Sequence, residues 1–171
     1  LNGKILRIDP FTLDEDGKNY SIVKENPFIK LGGKPEILFL GLRNPWKFSI
    51  DSETGDIYIP DVGSEYIEEL NIVEYDNFNN YLNFGWNCFE GSYRIYDKHY
   101  TDALKSKKLC LNNINDPSIK ITEPKLQYFH DSLLPTSDES NYGNSIIGGV
   151  VYKNKESIWH NHYFFADYIS N

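Results

Sequence analysis

The chain lacks several features that would place it in a common class. Its 171 residues include no methionine and only two cysteines, and 25 acidic residues outnumber 17 Lys and Arg. The resulting net charge of −8 argues against nucleic acid or an anionic membrane surface as a partner. No apolar run approaches the roughly 20 residues that a membrane-spanning helix requires, so we expect no membrane span.

The composition is nevertheless that of a folded domain. An apolar content of 40% and an aromatic content of 15% are enough to build a core, which disfavours disorder. The length matches a single domain. The sequence opens within a strand-like stretch at residues 4–8, and no secretion-signal pattern is present. We therefore expect residues 1–171 to be part of a longer domain whose sequence continues beyond both ends.

Short segments rich in β-branched and aromatic residues dominate the chain, and turn-forming residues separate many of them. The clearest unit is a hairpin at residues 48–59, whose two arms alternate around a turn at residues 51–55. The strands predicted in this way are 4–8, 36–40, 47–50, 56–59, 69–73, 125–129, 146–152 and 163–166.

Helical periodicity is almost absent. The best helix candidate, residues 100–108, is weak and lies inside a polar insertion at about 92–123. Many short antiparallel strands indicate an all-β sandwich, barrel or propeller. Three predicted apolar strands end in an aspartate before a loop, at Asp9, Asp61 and Asp167. This loose repetition favours the propeller, with about three to four blades in the chain.

Two stretches carry most of the chemistry. Arg43 and Asn44 follow an apolar run, and Pro45 biases Asn44 toward an extended conformation. A guanidinium beside a carboxamide can hold a flat, carboxylate-bearing ligand, because Arg offers a planar fork to oxyanions and the amide both donates and accepts. The second stretch begins at Asp61 and reaches Glu69, with acidic groups around a glycine where carboxylates and carbonyls can hold a hard cation.

Each of these residues also has a structural interpretation. Arg43 can serve only to tie backbone carbonyls together, and Asp61 is expected to accept hydrogen bonds rather than do chemistry. Glu68 and Glu69 are adjacent on a predicted strand, so they face opposite ways and one of them is expected to be solvated. His160 and His162 share a strand face, but no third ligand at matching spacing supports a metal there.

The two cysteines, Cys88 and Cys110, have 21 residues between them. Composition alone leaves two interpretations open. They are either unrelated buried thiols or a disulfide that closes the polar insertion, and a disulfide implies an oxidising compartment.

Several blocks in a fixed order resemble the glucose/sorbosone dehydrogenase family, and the resemblance covers nearly the whole chain except about 92–123. The most specific blocks are Gly-Leu-Arg-Asn-Pro-Trp at residues 41–46 and Asp-Val-Gly at 61–63, and Glu-Glu-Leu-Asn follows them at 68–71. Further blocks are residues 3–9, 83–91 and 145–152. The family fold is a six-bladed β-propeller, so the resemblance implies that this chain is a fragment of one.

Characterised members oxidise an aldose or related sugar by hydride transfer to pyrroloquinoline quinone (PQQ), with calcium as the Lewis acid and a histidine as the general base. The resemblance places Arg43 and Asn44 at the quinone and the carbonyls of Gly63 and Ser64 at the cofactor calcium. It places Glu69 and the carbonyl of Phe84 at a second, structural calcium. The resemblance thus implies a sugar substrate, PQQ, calcium and an extracellular or periplasmic location.

The sequence departs from the enzyme pattern in ways that keep an alternative open. Trp46 replaces a glutamine, Ser64 replaces a proline, and a cofactor-contacting lysine aligns with Ile169. The general-base histidine would lie upstream of Leu1, so we expect the isolated chain to be inactive. A Trp at position 46 also fits a branch that includes domains resembling hedgehog-interacting proteins. There the same propeller binds a carbohydrate or a protein without catalysis.

That branch supports the disulfide as well. Its secreted members often carry a cysteine after Gly-Trp and a partner cysteine in the following insertion, as Cys88 and Cys110 would here. The resemblance therefore implies a Cys88–Cys110 pair.

Overall fold

The computed structural model of the protein describes residues 3–13, 17–95, 120–130 and 143–168. Within these ranges the chain has strands and two short 3-10 helices, Pro27–Ile29 and Tyr75–Asn77, and no α-helix. In chain order the strands are β1 (Lys4–Leu6), β2 (Ile8–Asp9), β3 (Ser21–Ile22), β4 (Ile37–Leu40), β5 (Ser49–Ile50), β6 (Ile57–Asp61), β7 (Ile67–Val73), β8 (Phe89–Glu90), β9 (Tyr93–Arg94), β10 (Leu126–Phe129), β11 (Ile146–Val151) and β12 (Tyr163–Asp167).

The largest sheet is a four-stranded antiparallel meander with the order β10-β7-β6-β5. Its inner pairing joins β6 and β7 in register from Ile57 opposite Val73 to Asp61 opposite Glu69. The hairpin between β5 and β6 turns at Gly55, whose φ of 81° is the left-handed conformation that glycine adopts without strain. Four antiparallel strands in chain order are the unit from which propeller blades are built.

The remaining strands form two-stranded antiparallel sheets: β1 with β4, β2 with β3, β8 with β9, and β11 with β12. Strand β11 packs against β5 and β6, and the N–H of Gly148 donates to the carbonyl of Trp46 at 3.3 Å. A side chain at Gly148 would overlap the carbonyl of Lys47, so this close approach requires a glycine. Several small antiparallel sheets are what the propeller prediction requires.

The hydrophobic core lies between the β1–β4 sheet and the four-stranded sheet. Phe39 is fully buried at its centre, with its ring edge-on to Phe78 at 5.7 Å and to Phe84 at 6.1 Å. Aromatic pairs in this geometry stabilise a core beyond the area that they bury. The other buried members of the cluster are Ile5, Leu38, Leu42, Ile57, Ile59 and Val73.

The predictions about fold class and strands are confirmed. The described residues are all-β, and each of the eight predicted strands overlaps an observed one. The candidate helix at 100–108, most of the insertion and Ile169 lie outside the described residues. Cys110 does too, so its disulfide with Cys88 stays a prediction. In the described part of the chain, no helix has both the length and the apolar character needed to cross a membrane.

Candidate functional site

A tight backbone corner carries Arg43 and Asn44 away from the end of β4. Gly41 adopts a φ of 80°, and a side chain there would overlap the side-chain oxygen of Asn83 and press on the amide of Phe84. Only glycine permits this approach. The segment after β4 is therefore held against the chain at residues 83–85, which sets the direction in which Arg43 leaves the strand.

Asp61 fixes the backbone of the Arg-Asn pair. Its buried carboxylate accepts hydrogen bonds from the N–H of Arg43 at 2.8 Å and the N–H of Asn44 at 2.6 Å. Burial raises the pKa of Asp61 to about 6; these two bonds oppose the shift, and the nearby Glu68 adds to it. The prediction that Asp61 acts as a hydrogen-bond acceptor is confirmed.

The guanidinium of Arg43 reaches the loop that follows β6. Its Nη1 donates to the carbonyls of Val62 at 3.0 Å and Gly63 at 2.6 Å, and its Cζ lies 5.5 Å from the centre of the Trp86 ring. Within the described residues, its Nε and Nη2 donate to no protein group. One edge of the fork is thus tied to backbone carbonyls, and the other edge keeps donors for a ligand.

Asn44, the next residue in the chain, is exposed. Its backbone is fixed on both sides, since its N–H donates to Asp61 and its carbonyl accepts from the N–H of Val62 at 3.2 Å. Among the residues that the structure describes, its side-chain amide has no hydrogen-bond partner. The corner therefore carries, on consecutive residues, a half-buried guanidinium with donors left over and an exposed amide.

The loop with Gly63 and Ser64 is held by buried carboxylates. Glu68 accepts from the N–H of Gly63 at 3.2 Å, and Glu90 accepts from the N–H of Ser64 at 2.6 Å. Glu90 also accepts from the next three amides, those of residues 65, 66 and 67, at 2.9–3.4 Å. The resemblance gave Glu90 no role, although it lies within a matching block.

Glu68 connects three parts of the fold. Besides the Gly63 amide, it accepts from the N–H of Ile146 on β11 at 2.9 Å, and His130 Nε2 lies 2.7 Å from its Oε1. Glu68 is completely buried and the adjacent Glu69 is 5% exposed. The prediction that one of this pair is solvated is therefore wrong. A neighbouring sheet covers each face of β7, so opposite side chains are both buried.

Glu69 is a buried acid without a cationic partner among the described residues. It accepts from the N–H of Gly91 and from Asn71 Nδ2 at 3.3 Å. Burial raises the pKa of Glu69 to about 8, the nearby Asp61 adds to the rise, and the two hydrogen bonds oppose it. Asn71 Oδ1 is buried with no hydrogen-bond partner in the described part of the chain.

Phe84, the fourth residue predicted to bind calcium, lies in the hydrophobic core. Phe84 is buried in the core, its N–H donates to the carbonyl of Leu40 at 3.0 Å, and no hydrogen bond in the described ranges joins it to Glu69. In the described residues, no three His, Cys, Asp or Glu side chains are grouped as a metal site. The calcium roles of Gly63, Ser64, Glu69 and Phe84 stay predictions.

The groups at this corner fit an anionic quinone better than they fit a calcium ion bound to the Gly63 carbonyl. The unused edge of Arg43 and the Asn44 amide are donors suited to a carboxylate or quinone oxygen. The Gly63 carbonyl, in contrast, already faces a guanidinium at 2.6 Å, and a divalent cation beside it would be repelled.

The family model described as Glucose / Sorbosone dehydrogenase matches residues 1–135. The HIPL2 protein of Arabidopsis thaliana is 33% identical over 182 aligned positions, which cover the whole chain and 23% of that relative. The HIPL1 protein of the same plant is 29% identical and is covered over 24% of its length. The chain thus spans about a quarter of the length of the curated relatives that it matches. No solved structure matches it.

Proposed function

The chain belongs to the glucose/sorbosone dehydrogenase family, and from that premise we propose that the intact protein is a quinone-dependent oxidoreductase acting on an aldose or related sugar. This fragment of the β-propeller would supply Arg43 and Asn44 to the cofactor site. One observation carries the proposal: one edge of the Arg43 guanidinium is not bonded to Val62 and Gly63, and the amide of the next residue, Asn44, is exposed and has no hydrogen-bond partner among the described residues.

PQQ, when bound, supplies an acceptor for the hydride that leaves the sugar. The contribution of this chain is to bind and orient. Arg43 presents its remaining donors to an oxyanion, and the Trp86 ring under the guanidinium restricts its movement. Asp61 fixes the backbone from which both side chains extend. A guanidinium held in advance loses less conformational freedom when it binds a flat anion.

The Gly63 carbonyl does not fit calcium as it is arranged, because Arg43 donates to it. We therefore assign no part in the chemistry to a cation at Gly63 and Ser64. Glu69 is a better candidate for a cation ligand, since its buried carboxylate and Asn71 Oδ1, which has no hydrogen-bond partner in the described residues, are both oxygens of the kind that calcium takes.

A second candidate function is a propeller that binds a carbohydrate or a protein without catalysis. The same Arg43 bonds favour it, since they use part of the fork for structure. Trp46 adds to this, because it stands at the corner where the enzymes carry a glutamine and it is 53% exposed. Exposed aromatic side chains are common in binding surfaces.

A titration of the full-length protein that contains this chain distinguishes the two candidate functions. PQQ would be added while absorbance is followed, with and without calcium, and the result would be compared with that of Arg43→Ala. Arg94→Ala is the matched control, because Arg94 is exposed on β9 and, within the described residues, its guanidinium contacts only the Phe89 ring at 5.9 Å. We expect micromolar binding, at least tenfold weaker in Arg43→Ala and unchanged in the control. A tenfold loss corresponds to about 1.4 kcal/mol.

Absence of PQQ binding at micromolar concentrations would overturn the quinone proposal, and so would unchanged binding by Arg43→Ala. Reduction of an artificial electron acceptor on addition of an aldose then distinguishes an enzyme from a quinone-binding protein. If PQQ binds and no aldose among hexoses and pentoses reduces the acceptor, the second candidate function is favoured.

An extracellular or periplasmic location belongs to the same proposal, since a Cys88–Cys110 disulfide requires an oxidising compartment. Peptide mapping of the secreted protein without reductant tests this disulfide: the two cysteines should appear in one cross-linked peptide. Recovery of both as separate thiol peptides would contradict the pairing.

A further inference from the structure

A cleft unrelated to the Arg43 corner lies beside the first 3-10 helix, Pro27–Ile29. It has a volume of about 390 Å³, within the range of small-molecule pockets. Residues that line it include Lys24, Glu25, Asn26, Lys30, Asn79 and Tyr81. Asn26 bonds to the carbonyl of Pro35, which precedes β4, whereas Arg43 follows β4. The four residues of that strand, about 13 Å of extended chain, separate the two places.

The floor of the cleft is fixed by hydrogen bonds. Asn26 is 2% exposed, and its Nδ2 donates to the carbonyls of Arg7 at 2.9 Å and Pro35 at 2.7 Å. Arg7 Nε donates to Asn26 Oδ1 at 2.7 Å, and Arg7 Nη2 donates to Asn79 Oδ1 at 3.3 Å. Arg7 therefore holds both lining amides, that of Asn26 in a part-buried contact and that of Asn79 at the exposed surface. A cleft with a fixed floor exists before a ligand arrives.

One wall of the cleft is an aromatic ring that is held from behind. The Tyr81 ring lies 5.4 Å from that of Phe28, which is itself 5% exposed. Tyr81 keeps 41% of its surface exposed. A ring packed on one side and open on the other offers an apolar face and a phenol hydroxyl, which suits a ring-shaped ligand that carries hydroxyl groups.

The charged residues of the cleft indicate what such a ligand carries. Lys24 and Lys30 are exposed, and neither forms an ion pair or a side-chain hydrogen bond with any described residue. Glu25 is the acid that lines the cleft, so the lining has two positive charges and one negative. The local excess is positive in a chain whose net charge is −8. Unpaired ammonium groups at a cleft attract an anion.

We propose that this cleft binds an acidic saccharide. A sugar ring lies against Tyr81, its carboxylate is bound by Lys24 and Lys30, and its hydroxyls bond to Glu25 and the Asn79 amide. Neither the quinone nor the Arg43 corner takes part, so the site is a second binding function beside the proposed activity. Tyr81 selects a ring over a simple anion, and the lysines select a charged sugar over a neutral one.

Calorimetric titration of the full-length protein tests the proposal with three probes: trigalacturonate, its methyl-esterified neutral form, and inorganic phosphate. We expect trigalacturonate to bind at least tenfold more tightly than either of the others. The double variant Lys24→Ala/Lys30→Ala should weaken that binding at least tenfold. Lys120→Ala/Lys155→Ala is the matched control, because both lysines are exposed and have no side-chain partner in the described ranges.

Tyr81→Leu keeps an apolar group on Phe28 while removing the aromatic face, and it should weaken trigalacturonate binding without lowering the melting temperature by more than a few degrees. No binding of trigalacturonate would overturn the proposal, as would equal binding of its methyl ester or of phosphate. Unchanged affinity in the Lys24/Lys30 double variant would overturn it too. All these measurements are made without quinone, so their outcome is independent of the proposed oxidoreductase activity.

Discussion

Arg43 donates from Nη1 to the carbonyl of Gly63 at 2.6 Å, so a permanently charged guanidinium lies on the oxygen that the family resemblance assigns to calcium. The contact joins the segment after β4 to the loop after β6. It also leaves the opposite edge of the guanidinium directed away from these carbonyls. The position of the Gly63 loop therefore decides how Arg43 is presented to a ligand.

Gly63→Ala should disturb this arrangement directly. A side chain at Gly63 would overlap the carbonyl oxygen of Ile67, which is backbone and cannot move independently. Overpacking of this kind costs about 1–3 kcal/mol, so we expect a lower melting temperature of the full-length protein and weaker PQQ binding. Glu65→Ala, an exposed position in the same loop, should change neither quantity. A Gly63→Ala protein with wild-type stability and PQQ affinity would contradict the loop's assigned role.

Glu90→Gln should destabilise the protein by about 2–4 kcal/mol. Glu90 accepts hydrogen bonds from four consecutive backbone amides, those of residues 64–67, and is 1% exposed. The amide of glutamine replaces one acceptor oxygen with a donor that faces these N–H groups. Chemical unfolding of the full-length protein measures the change. Glu123→Gln is the exposed control, and a Glu90→Gln change within about 0.5 kcal/mol, the usual effect of a surface substitution, would refute this prediction.

Calcium should raise the melting temperature of the full-length protein, and Glu69→Gln should abolish part of that rise. The buried Glu69 carboxylate has no cationic partner in the described residues, and a cation that binds only the folded state stabilises it. The amide keeps the volume but cannot ionise, whereas the Glu69 carboxyl can give up its proton to bind a cation. Glu74→Gln, exposed after the end of β7, is the control. The same calcium-induced rise in Glu69→Gln and in wild type would exclude Glu69 as a calcium ligand.

Asp51 should make stability depend on pH in the acid range. Burial alone would raise the pKa of Asp51, but hydrogen bonds from Lys153 and from nearby backbone amides lower it below its ordinary value of 3.8. Lys153 Nζ lies 2.8 Å from Asp51 and joins the β5–β6 turn to the β11–β12 hairpin. Because the folded-state pKa is lowered, the stabilisation is present above the ordinary pKa and is lost as pH falls through the lowered one.

Asp51→Asn should therefore melt below wild type near neutral pH, and the difference should shrink as the pH falls below about 4. Melting curves of the full-length protein at a series of pH values measure it. Asp76→Asn, an exposed position, is the control and should give no pH-dependent difference. A difference that stays constant down to about pH 2 would show that Asp51 does not titrate as inferred.

The strands were predictable because their signals are local. The hairpin at residues 48–59 has alternating side chains and a glycine where the turn requires a positive φ, and the structure pairs β5 with β6 there. The choice of a propeller over a sandwich came from the loose repetition of strands that end in an aspartate and from the order of the family blocks. Local periodicity describes single strands and contains little information about how separate sheets are placed.

The environment of the carboxylates was not predictable from their sequence positions. Alternation along β7 gives opposite directions for Glu68 and Glu69, and it does not show that both directions lead into protein. Glu68 is buried because Ile146, 78 residues later, donates to it, and His130 lies against it from after β10. Glu90 accepts hydrogen bonds from backbone amides more than 20 residues earlier in the chain. Contacts between such distant residues leave no local pattern.

The sequence by itself determined the strand content, the turn at Gly55 and the pairing of a guanidinium with an amide at positions 43 and 44. These depend on neighbours a few residues apart. Only the tertiary structure decided that Arg43 faces the Gly63 carbonyl, that four acids at positions 61, 68, 69 and 90 are all buried, and that Lys24 and Lys30 share a cleft with Tyr81. Burial and charge environment depend on which sheets meet, and that is settled by the packing of the whole chain.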